Sequence, residues 1–223
     1  MFLTLSLFVQ VLQVFHVQAD TFSIRLAESG DMPTCIQLAK QVCSTTYRPF
    51  LSINGFYGDA LVDDYVSKID ATFFDDFGEY KIGQLFVAET DAKEVVACMK
   101  VDPFFAADKD SELWKQFITI KVPEADNDIH DVDWYSKNCD GSGAYVSRLY
   151  VNQDWRGKGI GKLLLKSVKN FFPQAQKIYL STYAGNKLAF DFYKHLEFVE
   201  LDRVYRNQPC ESVFFSIDTS LLT

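Results

Sequence analysis

Residues 152–168 read NQDWRGKGIGKLLLKSV, with glycines at 157, 159 and 161 and cations at Arg156 and Lys158 heading a run that turns apolar and basic at helical spacing. What these glycines hold is the first question the chain poses. A Walker-type phosphate loop needs glycine five residues before a Gly-Lys-Ser/Thr end, whereas position 156 is Arg and Gly161-Lys162 is followed by Leu163. The dinucleotide fingerprint G-x-G-x-x-G fails too, because Lys162 and Leu164 occupy the places of its last glycine. What remains is a strand running through a glycine turn into a helix. Such a junction aims several backbone N–H groups at one point, and the helix dipole adds positive potential there, so a phosphate is the natural occupant. Lys158, Lys162, Lys166 and Lys169 recur every three or four residues and make one side of that helix basic. The pattern favours an anionic ligand over a merely solvated face.

Outward from this junction the periodicities are regular. Residues 144–151 alternate as a strand and 159–172 read as a helix; 177–181 form a strand, 187–195 a helix, and 199–205 and 212–217 two final strands. Toward the amino end, 22–26 read as a strand, and Ser29-Gly30-Asp31 as a turn and N-cap before a helix ending near Val42. An aromatic loop over 45–57 and a second amphipathic helix over 59–69 follow. Strands at 85–89 and 95–101 form a hairpin around Asp91-Ala92. The order β-α-α-β-β-β-α-β-α-β-β predicts an α/β fold, a mixed sheet with helices on both faces and no internal repeat. Residues 102–142 are a long, mostly acidic insertion whose apolar anchors are Trp114, Phe117 and the stretch 118–122.

A chain of 223 residues is long enough for one good core. We therefore expect a single domain over 21–218, with residues 1–20 outside it. That first stretch carries no charge up to Ala19. It reads either as a removable leader ending in Val17-Gln18-Ala19 or as a structural extension, since Leu3, Leu5, Leu7, Val9 and Val11 alternate as in a strand. Its polar interruptions argue against a membrane span, and no stable membrane association is expected. The net charge of -8 argues against nucleic acid as a partner and suits a cationic one, such as a polyamine, a lysine or a protein amino terminus. Five cysteines without a C-x-x-C pair fit a reduced, cytoplasmic setting, with a secretory route as the alternative if the leader is real. No tetrahedral zinc set is spaced around them, and Asp126, Asp128, His130, Asp131 and Asp133 read as a solvated acidic loop rather than a hard-metal site. No metal is expected.

Arg156-Gly157-Lys158-Gly159-Ile160-Gly161 resembles the (Q/R)-x-x-G-x-(G/A) motif of the GNAT superfamily of N-acetyltransferases, and it follows the strand Arg148-Leu149-Tyr150-Val151 as in that family. Asn186-Lys187-Leu188-Ala189-Phe190-Asp191-Phe192-Tyr193 is similar to the family's N-x-x-A-x-x-x-Y segment, with Leu196-Glu197-Phe198 where Gly-Phe is usual. The likeness covers about residues 21–218. It implies the GNAT fold, a mixed sheet of about seven strands, and acetyl-coenzyme A as co-substrate. The backbone from Arg156 to Gly161, with Lys162 close by, would hold the pyrophosphate. The main chain along Leu149, Tyr150 and Val151 would meet the pantetheine and polarise the thioester, and Asn186 would sit near the thiol end. Asn186 also reads as a helix N-cap. Tyr193 would act as general acid toward the departing thiolate, its pKa of about 10 lying close to a thiol near 8.5; the alternative is a hydrogen-bonded core tyrosine. Over 45–50 the chain resembles, weakly, bacterial polyamine acetyltransferases.

A lysine-like amine is free in roughly one molecule in 2,500 at pH 7, which leaves about 4.6 kcal/mol to be found. The glycine-motif strand offers Tyr145, Ser147 and Arg148 but no carboxylate. Ordered water, assisted by Asp59, Asp63 or Asp64, is one route; those acids read equally as a solvated face. Neither motif contains a cysteine, so direct attack by the amine is expected rather than a covalent enzyme intermediate. The acceptor is an amine-bearing small molecule or peptide. A polyamine, a protein amino terminus or lysine, and an acyl-coenzyme A sensing domain without turnover all stay open, as does a homodimer.

Overall fold

Side-chain alternation along seven strands decides which face each helix covers. The computed structural model describes residues 22–47, 63, 66, 67, 69, 84–103, 134, 138, 141–205 and 211–222. In chain order these form β1 (Phe22–Leu26), α1 (Met32–Val42), β2 (Gln84–Thr90), β3 (Val95–Pro103), β4 (Gly143–Val151), α2 (Ile160–Phe171), β5 (Lys177–Tyr183), α3 (Lys187–His195), β6 (Val199–Tyr205) and β7 (Glu211–Asp218). They make one sheet in the order β1-β2-β3-β4-β5-β7-β6. Every neighbouring pair is antiparallel except β4 and β5.

Phe86 and Ala88 of β2, Met99 and Val101 of β3, Ala144 and Val146 of β4, Ile178 and Leu180 of β5, and Phe215 of β7 share one buried core. Ile160, Leu164, Leu165 and Val168 of α2 and Tyr193 of α3 complete it. In α2 the buried positions recur at helical spacing, which is why this helix lies flat on the sheet. Each of its large apolar side chains contributes about 2 kcal/mol by leaving water. A period of two sends Arg25, Glu89, Cys98, Lys100, Asp102, Tyr145 and Tyr150 to the other face. There Cys35, Leu38 and Ala39 of α1 pack with Ile69, Val87, Cys98 and Tyr150.

At the start of α1 the charges on this second face close on one another. Arg25 donates to Asp31 at 2.6 Å and to Glu89 at 2.7 Å, and Lys93 reaches Glu89 at 2.8 Å. The Arg25 hydrogen bond holds the Asp31 carboxyl below its ordinary value, and Lys93 followed by Arg25 does the same for Glu89.

Within the described residues the predicted strands and the helices over 32–42, 160–171 and 187–195 are present, and the differences sit at their ends. The β3 strand runs on to Pro103, so Asp102 belongs to the sheet and is fully buried rather than opening the acidic insertion. A π-helical turn over Cys43–Tyr47 extends α1 into the start of the expected aromatic loop. Of the expected helix over 59–69, Asp63, Val66 and Ser67 are helical, and the remainder is outside the described residues apart from Ile69. From the insertion, Trp134 stacks on Phe214 at 4.2 Å and donates its indole N–H to Asp202 at 2.7 Å. The anchors named at 114 and 117–122, the acidic loop over 126–133 and residues 1–20 lie outside the described residues. Among the described residues no helix is long and apolar enough to cross a membrane.

Candidate active site

The strands β4 and β5 pair only through Gly143–Lys177, Ala144–Ile178 and Tyr145–Tyr179. Beyond Tyr145 they part, while β5 keeps its pairing with β7 along Lys177–Tyr183. From Val146 to Val151 the β5-side edge of β4 therefore carries backbone groups that β5 does not satisfy. Two helices begin at the open end of this wedge, α2 after β4 and α3 after β5. Openings of this kind at the carboxyl ends of parallel strands are where α/β sheets take ligands.

Gly157 and Gly159, with φ of 76° and 80°, turn the chain from β4 into α2 through the left-handed region that side chains resist. Gly159 is the N-cap of α2, and the first bond inside the helix runs from the Leu163 N–H to the Gly159 carbonyl at 2.9 Å. The N–H groups of Ile160, Gly161 and Lys162 are thus free of the helix's own ladder. At Gly161 a different constraint acts: a Cβ would come within 2.9 Å of the Phe192 ring, so this glycine lets α3 pack against the turn. Arg156 donates through Nε to the Val151 carbonyl at 3.2 Å, and partial burial pulls its guanidinium below the ordinary value. A half-buried cation fixed by a carbonyl and set beside free N–H groups is suited to an anion.

The lysines of the turn and of α2 do not act together. The Lys158 ammonium lies 4.1 Å over the Trp155 ring, and Lys162 is exposed one turn into the helix. Lys169 closes the far end of α2 by donating to the carbonyls of Pro173 and Ala175 at 2.9 and 3.3 Å. Leu149 and Val151 pack on the large core, whereas Tyr150 turns to the α1 side beside Cys98. Burial pushes the Cys43 thiol, near Tyr150 and Arg148, up to about 11.

Asn186 is buried and caps α3, accepting from the Ala189 N–H at 3.3 Å; its amide NH2 remains a donor. Tyr193 is also buried, its ring 5.2, 5.4 and 6.0 Å from those of Phe192, Phe198 and Phe215. Glu197, standing where glycine is usual, has φ of 65° and leaves the turn intact: its N–H reaches the Lys194 carbonyl and that of Phe198 reaches the Tyr193 carbonyl, both at 3.0 Å. These two bonds are a Schellman ending in which the left-handed position is filled by glutamate. Asp63 is exposed, and Asp59 and Asp64 lie outside the described residues. Sequence reasoning does not single out Asp102 and Lys100, both of which are buried in the sheet. The signal for Lys100 is the alternation within β3, and for Asp102 the same alternation carried past Val101.

Residues 56–198 match the model of the acetyltransferase (GNAT) family. The chain belongs to that family. The seven-stranded mixed sheet, with helices on both faces, is accordingly a GNAT fold, and the protein is a member of a family of N-acetyltransferases that use acetyl-coenzyme A. Among solved structures, a histone acetyltransferase HPA2 and related acetyltransferase from Corynebacterium glutamicum is 14% identical, the match covering 88% of this chain and 95% of that one at a TM-score of 0.52. A GNAT-family protein from Desulfovibrio desulfuricans is 11% identical over 89% of this chain and 99% of that one, at 0.51. Spermidine N-acetyltransferase from Vibrio cholerae, in complex with CoA and spermine, is 15% identical over 90% and 97%, at 0.49. At these identities the likeness is one of fold alone. No curated protein matches the sequence.

Proposed function

We propose that this GNAT protein is an acetyl-coenzyme A dependent N-acetyltransferase that moves the acetyl group to a primary amine by direct attack. The observation that carries the reading is the turn from Arg156 to Gly161, where two left-handed glycines, three free helix N–H groups and a half-buried guanidinium converge beside the wedge between β4 and β5. In this reading Arg156, Gly157, Lys158, Gly159, Ile160, Gly161 and Lys162 hold the pyrophosphate. The free edge of β4 at Leu149, Tyr150 and Val151 lines the pantetheine, with a main-chain N–H there as the oxyanion donor. The amide of Asn186 faces the thiol end, and Tyr193 gives a proton to the departing sulfur. Acetyl-coenzyme A supplies the activated acyl group; the chain's own part is to orient it, exclude water and move protons.

The overall acidity of the chain supports an amine-bearing acceptor, a polyamine, amino acid or peptide amino terminus being the classes to compare. A thiol-release assay of the full chain with acetyl-coenzyme A against spermidine, free amino acids and short peptides tests the reading. Release that depends on one class of amine is expected. Silence with every amine, while coenzyme A still binds by calorimetry, would replace the reading with a sensing domain.

A further inference from the structure

Resting on the acetyl-transfer reading above, the structure assigns the missing base to β3: we propose that Asp102 meets the acceptor amine and takes its proton. On the face turned away from α2, strands β3 and β4 present three directly opposed pairs, Cys98–Tyr150, Lys100–Arg148 and Asp102–Tyr145. Opposed side chains of this kind stand about 5 Å apart at Cβ. The first pair lies in the cluster under α1. The other two carry the charge along the strands to Tyr145, the last residue at which β4 pairs with β5 and so the root of the wedge.

Three observations single out Asp102. It is fully buried on β3 directly opposite Tyr145, the residue at the root of the wedge, whereas the other buried carboxylate among the described residues, Glu89, lies near the start of α1. The β4 residues facing the same way offer a phenol, a hydroxyl and a guanidinium, none of which accepts a proton at neutral pH. Between Tyr145 and Leu149 the ladder is broken: Val101 pairs with Val146 and Lys100 with Arg148, which leaves Ser147 as a bulge without an opposite residue. The Ser147 hydroxyl is buried and has no hydrogen-bond partner among the described residues, which suits a polar ligand group or a bridging water beside the strand edge assigned to the thioester.

The amine nitrogen forms a bond to the thioester carbonyl carbon, and one N–H proton passes to the Asp102 carboxylate directly or through one water. The carbon–sulfur bond breaks, and the sulfur takes the Tyr193 phenolic proton. Loss of the Asp102 proton to solvent and return of one to Tyr193 restore both groups.

Steady-state kinetics of the full chain, with the best amine of the panel, compare wild type, Asp102→Asn and Asp102→Glu, with folding followed by urea unfolding. The expected result is a loss of about 100-fold or more in kcat for Asp102→Asn and about 10-fold for Asp102→Glu, with KM for acetyl-coenzyme A within about twofold in both. A folded Asp102→Asn that keeps wild-type kcat overturns the proposal alone. So does a parallel loss of turnover and cofactor affinity, which is the mark of a structural role. Should Asp102→Asn not fold, Asp102→Glu decides: an unchanged kcat/KM for the amine overturns the proposal, and a tenfold loss with unaltered cofactor KM supports it. Wild-type protein inactive with every amine removes the acetyl-transfer reading itself, and this proposal with it.

Discussion

Under α2 and α3 the sheet shows Phe86, Met99, Leu180 and Phe215, packed against Leu164, Leu165 and Tyr193. Under α1 the same strands show Arg25, Glu89, Lys100, Asp102, Tyr145 and Arg148, with apolar packing confined to Cys35, Leu38, Ala39 and their neighbours. Buried side chains line both sides, but their chemistry differs. Apolar burial on the first side gains free energy without specifying partners, so it can carry stability and present the glycine turn at a fixed height above the wedge. On the second side each buried polar group must be satisfied, which costs stability. On the proposal above, the first face serves as the scaffold and the second holds the base.

Tyr193 is the test case, a hydroxyl placed on the apolar side. Replacing it by Phe should cut turnover about 100-fold or more, the usual size of a general-acid contribution, while the urea midpoint and coenzyme A affinity stay near wild type. Equal turnover would make the apolar side purely structural. On the opposite face, Arg25→Met should lower stability by about 2 kcal/mol near neutral pH, less than for a fully enclosed network because water reaches Arg25. The carboxyls of Asp31 and Glu89 are depressed in the folded protein, so their contribution is complete above the ordinary carboxylate value of about 4 and is lost as pH falls through the lower folded values. Unfolding curves of wild type and Arg25→Met should therefore converge in acid. Curves that stay parallel to about pH 2 would show that the charges carry none of the difference. The smallest effect is expected at the end of α3, where Glu197→Gly removes a left-handed side chain and should raise stability by about 1 kcal/mol, read as a higher urea midpoint.

The glycine motif and the strand before it are readable in the sequence because phosphate-type turns constrain spacing as well as composition. Few strand-to-helix junctions place glycine at 157, 159 and 161, and the periodicities around them locate α2 and α3 almost to the residue. Asp102 is hidden for the opposite reason. An aspartate at the end of a strand, followed by acidic sequence, is indistinguishable from the first residue of a loop until the ladder to Tyr145 is seen. The insertion of β7 between β5 and β6 is equally out of reach, since pairing order among late strands depends on contacts far apart in sequence. Helical spacing misleads at Lys169, grouping it with the ligand side although it serves the loop at the far end of α2.

The most direct measurement is a calorimetric titration of coenzyme A into the wild-type chain and into Gly159→Val. Space around Gly159 is open, so the variant's penalty falls on the left-handed backbone and on the approach of a phosphate to the turn. The account predicts saturable one-to-one binding to wild type and an affinity at least about 10-fold weaker for the variant. Equal binding by both, or none by the wild type, would contradict it.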